Sequence, residues 1–422
     1  MNIATLHNQN KKTLVPQIRF QEFEGEWKIT QLDKIVNKVG SGNTPSGGNQ
    51  VYQNSGIPFI RSQNVSENKL KVDETHISLE LNDKMKGSVV KANDILLNIT
   101  GGSIGRSCVV PSNFVTGNVN QHVCIIRLKE KYSPRFIQPF LSSNKGQKLI
   151  YQGQTGSGRE GINFQSIRLF TLTLPTFPEQ QKIASFLSAV EEKIEQLSRK
   201  KELLENYKKG VMQQLFSGKL RFKDENGKDY PDWEKGRFSK YIKLYRGSSP
   251  RPIIKYVTTS EDGVNWIKIG DTKVAENYRI SSVSEKITKK GSLKSRFVER
   301  GEIILANSMS FGKSYLLQIE GCIYDGWFVL REYEKSFDKE FLLQVLNSEF
   351  LQRQYFRLST GGVVQNISSD IVYSTLLFCP SLLEQQKIAN FLSGIDGKIE
   401  QANRELVKTQ EFKKGLLQQM FV

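Results

Sequence analysis

The sequence predicts an α+β protein in which two α+β domains alternate with two long helices, so that the second half of the chain repeats the first. Three observations carry this reading: a six-residue identity that recurs 205 residues later, a heptad-spaced apolar stripe after each copy, and short apolar runs between glycine-rich turns in the stretches that separate them.

Length and composition set the frame. At 422 residues the chain is too long for one ordinary domain and suggests two or three folding units. Apolar residues, 38 % of the chain, are spread along it, so each half can build a core.

The repeat fixes the order of parts. Pro175 is followed by Glu179-Gln180-Gln181-Lys182-Ile183-Ala184, and Pro380 by Glu384-Gln385-Gln386-Lys387-Ile388-Ala389. Nearly the same offset relates Lys209-Gly210-Val211-Met212-Gln213-Gln214-Leu215-Phe216 to Lys414-Gly415-Leu416-Leu417-Gln418-Gln419-Met420-Phe421, and Trp27 to Trp233. Between these anchors only a skeleton is shared, as in Ile57 to Arg61 against Val264 to Lys268. The expected parts are an N-terminal tail (1–14), a first variable domain (15–175), a central helix (176–218), a second variable domain (219–380) and a C-terminal helix (381–422).

Both helices begin just after a proline. Thr176 with Glu179, and Ser381 with Glu384, have capping-box spacing, with the hydroxyl and the carboxylate each accepting from an orphan backbone N–H. The first apolar stripe runs Ile183, Leu187, Val190, Ile194, Leu197, Leu204, Val211 and Leu215, interrupted by Lys201 and Lys208. The second runs Ile388, Leu392, Ile395, Ile399, Ala402, Leu406, Leu416 and Met420, with Thr409 and Lys413 as weak positions. Such heptad seams fit helices that pair with each other, and an ordinary core stripe has the same period. The interruptions fall at different heights in the two stripes, which favours mutual pairing. From Glu179 to Leu215 the helix would be a rod of roughly 55 Å, stopped at Ser217-Gly218.

In the variable stretches, Asp94 to Ile99 and Glu302 to Ala306 read as strands, and the region around Phe341 to Phe356 as a helix.

Motifs with a catalytic look lack their context. Gly156-Ser157-Gly158-Arg159-Glu160-Gly161 has GxGxxG spacing without an evident strand before it or helix after it. Asn307 to Ser314 resembles a phosphate loop without its first glycine, and its repeat partner, Thr100 to Ser107, keeps only a polar, glycine-bearing turn with one cation. A phosphate- or base-facing loop and a plain structural turn both fit. His7, His76 and His122 stand at no metal-ligand spacing and beside no candidate nucleophile. Neither an Asn-Pro-Pro-Tyr/Phe stretch nor a convincing acidic pair followed by Glu-x-Lys occurs. The expectation is no catalytic residue and no bound metal or cofactor. Cys108, Cys124, Cys322 and Cys379 lack CxxC spacing and read as reduced and buried.

Sixty Lys plus Arg against 43 Asp plus Glu gives +17. A polyanionic partner follows; nucleic acid fits, and an anionic membrane or an acidic protein fits the same charge. No run reaches the ~18 to 20 apolar residues of a membrane span, and the first eight residues lack a signal peptide's basic and apolar regions, so a cytoplasmic protein is expected.

Two variable domains alternating with helices that begin P-x-x-x-EQQKIA and end KKG-x-x-QQ-x-F resemble the specificity subunit of type I restriction-modification enzymes, over nearly the whole chain from Val15 to Val422. The resemblance implies that each variable domain is a target-recognition domain reading one half of a bipartite sequence in double-stranded DNA. It implies that the helices form an antiparallel coiled coil, related by a pseudo-two-fold axis, which docks two modification subunits. Those subunits would methylate adenine with S-adenosylmethionine, and restriction subunits would use ATP and Mg2+ to translocate and cut. With both domains on one face of the duplex, half-sites would lie ~10 bp apart.

Arg and Lys suit guanine, and Asn and Gln suit adenine. The candidate DNA contacts are Arg61, Gln63, Asn64, Thr100, Ser103, Arg106, Asn120, Gln121 and Arg159 in the first domain. In the second they are Lys268, Asp271, Asn307, Ser308, Lys313 and Asn366, with Lys289, Lys290, Lys294 and Arg296 as a phosphate-binding patch. The rival classes are a coiled-coil adaptor without nucleic acid, a subunit of a related bipartite-site restriction-methylation enzyme, and a nuclease or methyltransferase with a divergent site.

Overall fold

The computed structural model describes residues 14–154, 161–308, 312–359 and 366–422. They form two compact units, one of the described residues up to Leu197 with Glu405–Val422, the other of those within Ser198–Arg404. Each unit thus joins its own variable stretch to part of both long helices, Phe177–Phe216 and Leu382–Gln419.

Unit 1 contains a four-stranded sheet ordered Val36–Ser41, Val123–Leu128, Ile95–Asn98, Ser107–Val109, and a second ordered His76–Ile77, Ile57–Ile60, Gly117–Val119, Val89–Val90. Strand Ile95–Asn98 is buried along its whole length because both of its faces are covered. Ile95 and Leu97 join the core shared with the helices, while Leu96, pointing the other way, joins the core shared with the second sheet. Unit 2 repeats the scheme with two five-stranded sheets; Ile303 and Leu305 face the helical core, Ile304 and Ala306 the opposite one. The skeleton read from the sequence is a matched parallel pair of strands, Ile57–Ile60 beside Gly117–Val119 in unit 1 and Val264–Ile267 beside Gly321–Ile323 in unit 2.

In unit 1 the start of the first long helix supplies Ile183, Leu187 and Val190 to a core with Trp27 and Phe136, and the end of the second supplies Leu416 to the same core, followed by Met420 and Phe421 just beyond the helix. Ile194 packs at its edge, and Leu197 is buried. Lys413 ion-pairs with Glu191 across the two helices. In unit 2, Val211, Leu215 and Phe216 share a core with Ile388, Leu392 and Ile395, with Ile399 at the edge. There Lys201 Nζ donates to Asn403 Oδ1 at 2.9 Å and Lys208 Nζ meets Asp396 at 2.7 Å, so numbers rise on one helix as they fall on the other and the pair is antiparallel. Leu204 and Leu406 are half-buried. The lysines that interrupt the stripe therefore have polar partners on the facing helix, which restricts the register in which the helices can meet.

Some local expectations change. The helix expected around Phe341 to Phe356 is two, Lys339–Leu346 and Glu349–Ser359. The break falls where Asn347 exchanges hydrogen bonds with the backbone of Ser314 and Ser348 Oγ accepts from Leu351 N–H. The second capping box is half present, Ser381 Oγ accepting from the Glu384 N–H, and in both helices the glutamate, Glu179 or Glu384, turns its carboxylate to other partners, described below. Gly218, with φ of 73°, closes the first long helix in the left-handed conformation that glycine adopts without strain. Cys108, Cys124 and Cys322 are buried and free, whereas Cys379 is only half-buried. Among the described residues no helix is long and apolar enough to cross a membrane.

Candidate nucleic-acid interface

Each unit is braced by the glutamate of its EQQ motif. Arg19 donates to both oxygens of Glu179 at 2.8 Å, and the Trp27 indole donates to the same carboxylate at 3.2 Å. In unit 2, Arg221 donates to Glu384 at 3.2 and 2.9 Å and Trp233 at 2.8 Å. The next residue ties the helix to its domain, Gln180 Oε1 accepting from Ser133 N–H and Gln385 Oε1 from Asp338 N–H. The repeated motif thus joins variable domain to helix.

At the opposite ends of the central strands, the structure brings most unit 1 candidates together. Asn98, at the end of Ile95–Asn98, donates to Ser62 O at 2.9 Å and Ser103 Oγ at 3.2 Å, linking the turn of Arg61, Gln63 and Asn64 to the turn of Thr100, Ser103 and Arg106. Thr100 Oγ1 lies 2.7 Å from His122 Nδ1, and Asn120 Oδ1 accepts from His122 N–H, which adds Asn120 and Gln121 to the same cluster.

The members differ in what they have free. Asn64 and Asn120 are buried, and Asn64 closes its own turn by accepting from Arg61 N–H and donating to Lys71 O. Arg61 donates to Asp73 at 2.9 Å and to Thr75, and Gln63 to Asp73 at 2.8 Å. Burial alone would raise the Asp73 carboxyl, but hydrogen bonds from Thr75, Gln63 and Asn64 outweigh it and hold it well below the ordinary range. Arg106 and Gln121 are exposed. Arg159, with most of its GxGxxG stretch, lies outside the described residues.

In unit 2, Asp271 is buried and takes the place of Asn64, accepting from Lys268 N–H at 2.8 Å and from Ser284. Lys268 pairs with Glu285 as Arg61 does with Asp73. Asn307 is buried and donates to Asp325 O at 2.9 Å, while Ser308 is half-buried. Asn366 is exposed next to them, since the Ile367 N–H donates to Asn307 O. The basic patch is built around Tyr256: Lys294 donates to its hydroxyl at 2.9 Å and holds the phenol below its ordinary pKa, Lys290 is exposed next to it, and Lys289, also exposed, pairs with Asp262 at 3.2 Å. Arg296 stacks 5.7 Å over the Tyr245 ring. Lys313 stands apart from this patch. It lines a cavity of about 980 Å³ with Lys208, Tyr278, Gln344 and Asp396, and burial lowers its pKa.

Sequence reasoning missed Thr44, His122, Arg246, Ser249, Arg251, Lys255 and Asp325. A signal for the turn was present, since Gly42-Asn43-Thr44-Pro45 and Gly247-Ser248-Ser249-Pro250 stand at the same 205-residue offset. Both glycines allow a close approach: a Cβ on Gly42 would lie 1.7 Å from Val119 O, and one on Gly247 2.0 Å from Tyr324 O. The approach presses each turn onto a strand end, where Thr44 Oγ1 bonds Gln121 and Ser249 Oγ bonds Asp325.

Among the described residues no group of three or more His, Cys, Asp or Glu could hold a metal. With this geometry stand the similarities to known proteins. Residues 24–206 and 232–409 match the type I restriction modification DNA specificity domain, and the chain belongs to that family. The MjaVIII type I restriction enzyme specificity subunit of Methanocaldococcus jannaschii is 24% identical over 349 residues, 79% of each chain. The EcoBI specificity subunit of Escherichia coli is 26% identical over 221 residues, 50% of this chain and 44% of its own. The fold is similar to that of the S subunit from M. genitalium, with a TM-score of 0.58 at 15% identity, covering 97% of this chain and 99% of that one.

Proposed function

We propose that this chain is the DNA-reading subunit of a type I restriction-modification complex, each unit recognising one half of a bipartite duplex sequence and the chain itself catalysing nothing. The observation that carries this is the duplicated polar cluster at the strand ends: two units of one skeleton hold equivalent turns in place but differ in the side chains displayed, as two readers of unlike half-sites require. Phosphate contacts would come from Lys289, Lys290, Lys294 and Arg296, helped by Arg246, Arg251 and Lys255. Base edges would be met by the exposed members, Gln63, Arg106, Gln121 and Asn366, with Arg61 and Lys268 held in reach by their acidic partners. Asn64, Asp271, Asn120 and Asn307 would act through the turns they close.

The paired helices would set the gap between half-sites and dock two modification subunits. Tyr207 and Phe412, 54% and 53% exposed at the same place in the repeat, support two equivalent docking points. Methylation with S-adenosylmethionine and ATP-driven cleavage would belong to those partners. Duplex binding by the assembled complex, followed against salt, tests the reading. A steep fall in log K with log salt is expected, and a flat line would favour an adaptor that never meets DNA.

A further inference from the structure

We propose that the position shared by Gln121 and Asp325 is a base-reading position in both units, and that Asp325 accepts a hydrogen bond from the exocyclic amine of a cytosine. The inference rests on the DNA-reading function above and names a contact within it. Gln121 and Asp325 follow strands paired in the same way, Gly117–Val119 and Gly321–Ile323, and each is bonded by the hydroxyl of the glycine turn pressed against that strand end. The two units therefore present different polar groups from one equivalent, braced position.

Asp325 is an acid in basic surroundings. Its side chain is 43% exposed, Ser249 Oγ donates to it at 2.5 Å, Arg251 stands 3.7 Å away, and Arg246 donates to its backbone oxygen at 3.3 Å. The Ser249 hydroxyl leads in holding the carboxyl below its ordinary range, so it is charged at neutral pH. A carboxylate facing a phosphate backbone is repelled unless it meets a donor. In the major groove the donors are the amines of cytosine and adenine. Adenine pairs its amine with an acceptor, N7, which suits an amide; cytosine offers the amine alone, which suits an acceptor-only carboxylate. Gln121, an amide, has the group that suits adenine.

The test uses the assembled complex on its mapped target, with the second half-site identified by exchange of residues 219–380. Each cytosine of that half-site is replaced in turn by 2-pyrimidinone, which lacks the amine. At one position binding should weaken roughly tenfold, and Asp325→Ala should bind the unmodified duplex about as weakly and ignore the replacement. Gln121→Ala should leave the penalty intact. Wild-type indifference at every cytosine, a full penalty retained in Asp325→Ala, or a half-site without cytosine would overturn the proposal while leaving salt-dependent duplex binding in place. Loss of that binding altogether would overturn the recognition reading as well.

Discussion

Glu179 holds Arg19 through the Nε and Nη2 groups of its guanidinium, 160 residues apart in sequence, with the carboxylate only 1% exposed. The contact fastens the chain before the first strand to the start of the first long helix. Glu179→Ala would leave the Arg19 head and the Trp27 indole without their shared acceptor. It should destabilise unit 1 by roughly 2–3 kcal/mol, below the range of a fully buried pair because Arg19 keeps some solvent. Urea unfolding of the full chain, followed by tryptophan fluorescence, checks this, with Glu179→Gln expected to cost less.

Lys208 and Asp396 test the polar positions in the helix seam. Their side chains are 13% and 17% exposed, and Asp396 also accepts from Gln344 at 3.1 Å. A double-mutant cycle of Lys208→Ala and Asp396→Ala should give a coupling of about 1–3 kcal/mol. A coupling near zero would remove the argument that these lysines restrict register.

Gly42 and Gly247 cannot carry a side chain without moving a strand end. Gly42→Ala should impair recognition of the first half-site and spare the second, and Gly247→Ala should do the reverse. Methylation assays on duplexes carrying one altered half-site distinguish the two outcomes.

Phosphate contact by the basic patch predicts a specific salt effect. Replacing Lys289, Lys290 or Lys294 by Gln should reduce the slope of log K against log salt by about 1 for each, equally on specific and unrelated duplexes. A change confined to the specific duplex would mean that the residue reads a base.

Acid should loosen the first cluster through Asp73. Its folded pKa lies below its unfolded value, so the stability it contributes is present above the unfolded value near 4 and is lost as pH falls through the folded one. Asp73→Asn should remove that part of the acid sensitivity, as measured by unfolding between about pH 5 and pH 2, and should free Arg61 and Gln63.

The sequence showed the repeat, the helix starts and the central strands because each is a local pattern: an identity, a heptad period, an apolar run. It could not show that Glu179 and Glu384 brace Arg19 and Arg221, since those partners lie some 160 residues away. It also offered Asn64, Asp271 and Asn307 as base contacts on residue type alone, whereas their amide or carboxylate groups close turns within their own units. Lys313 fell in line with Arg106 by alignment, yet it lines a cavity while Arg106 is exposed. Burial and the direction of a side chain depend on non-local packing, which periodicity does not encode.

The most direct measurement is a map of the methylated bases in cells that carry this subunit and its partners, repeated after residues 219–380 are exchanged for those of another family member. Two short motifs around a fixed gap are predicted, with the exchange altering one motif and leaving the other and the gap unchanged. A single uninterrupted motif, or a map that the exchange does not alter, would contradict the account.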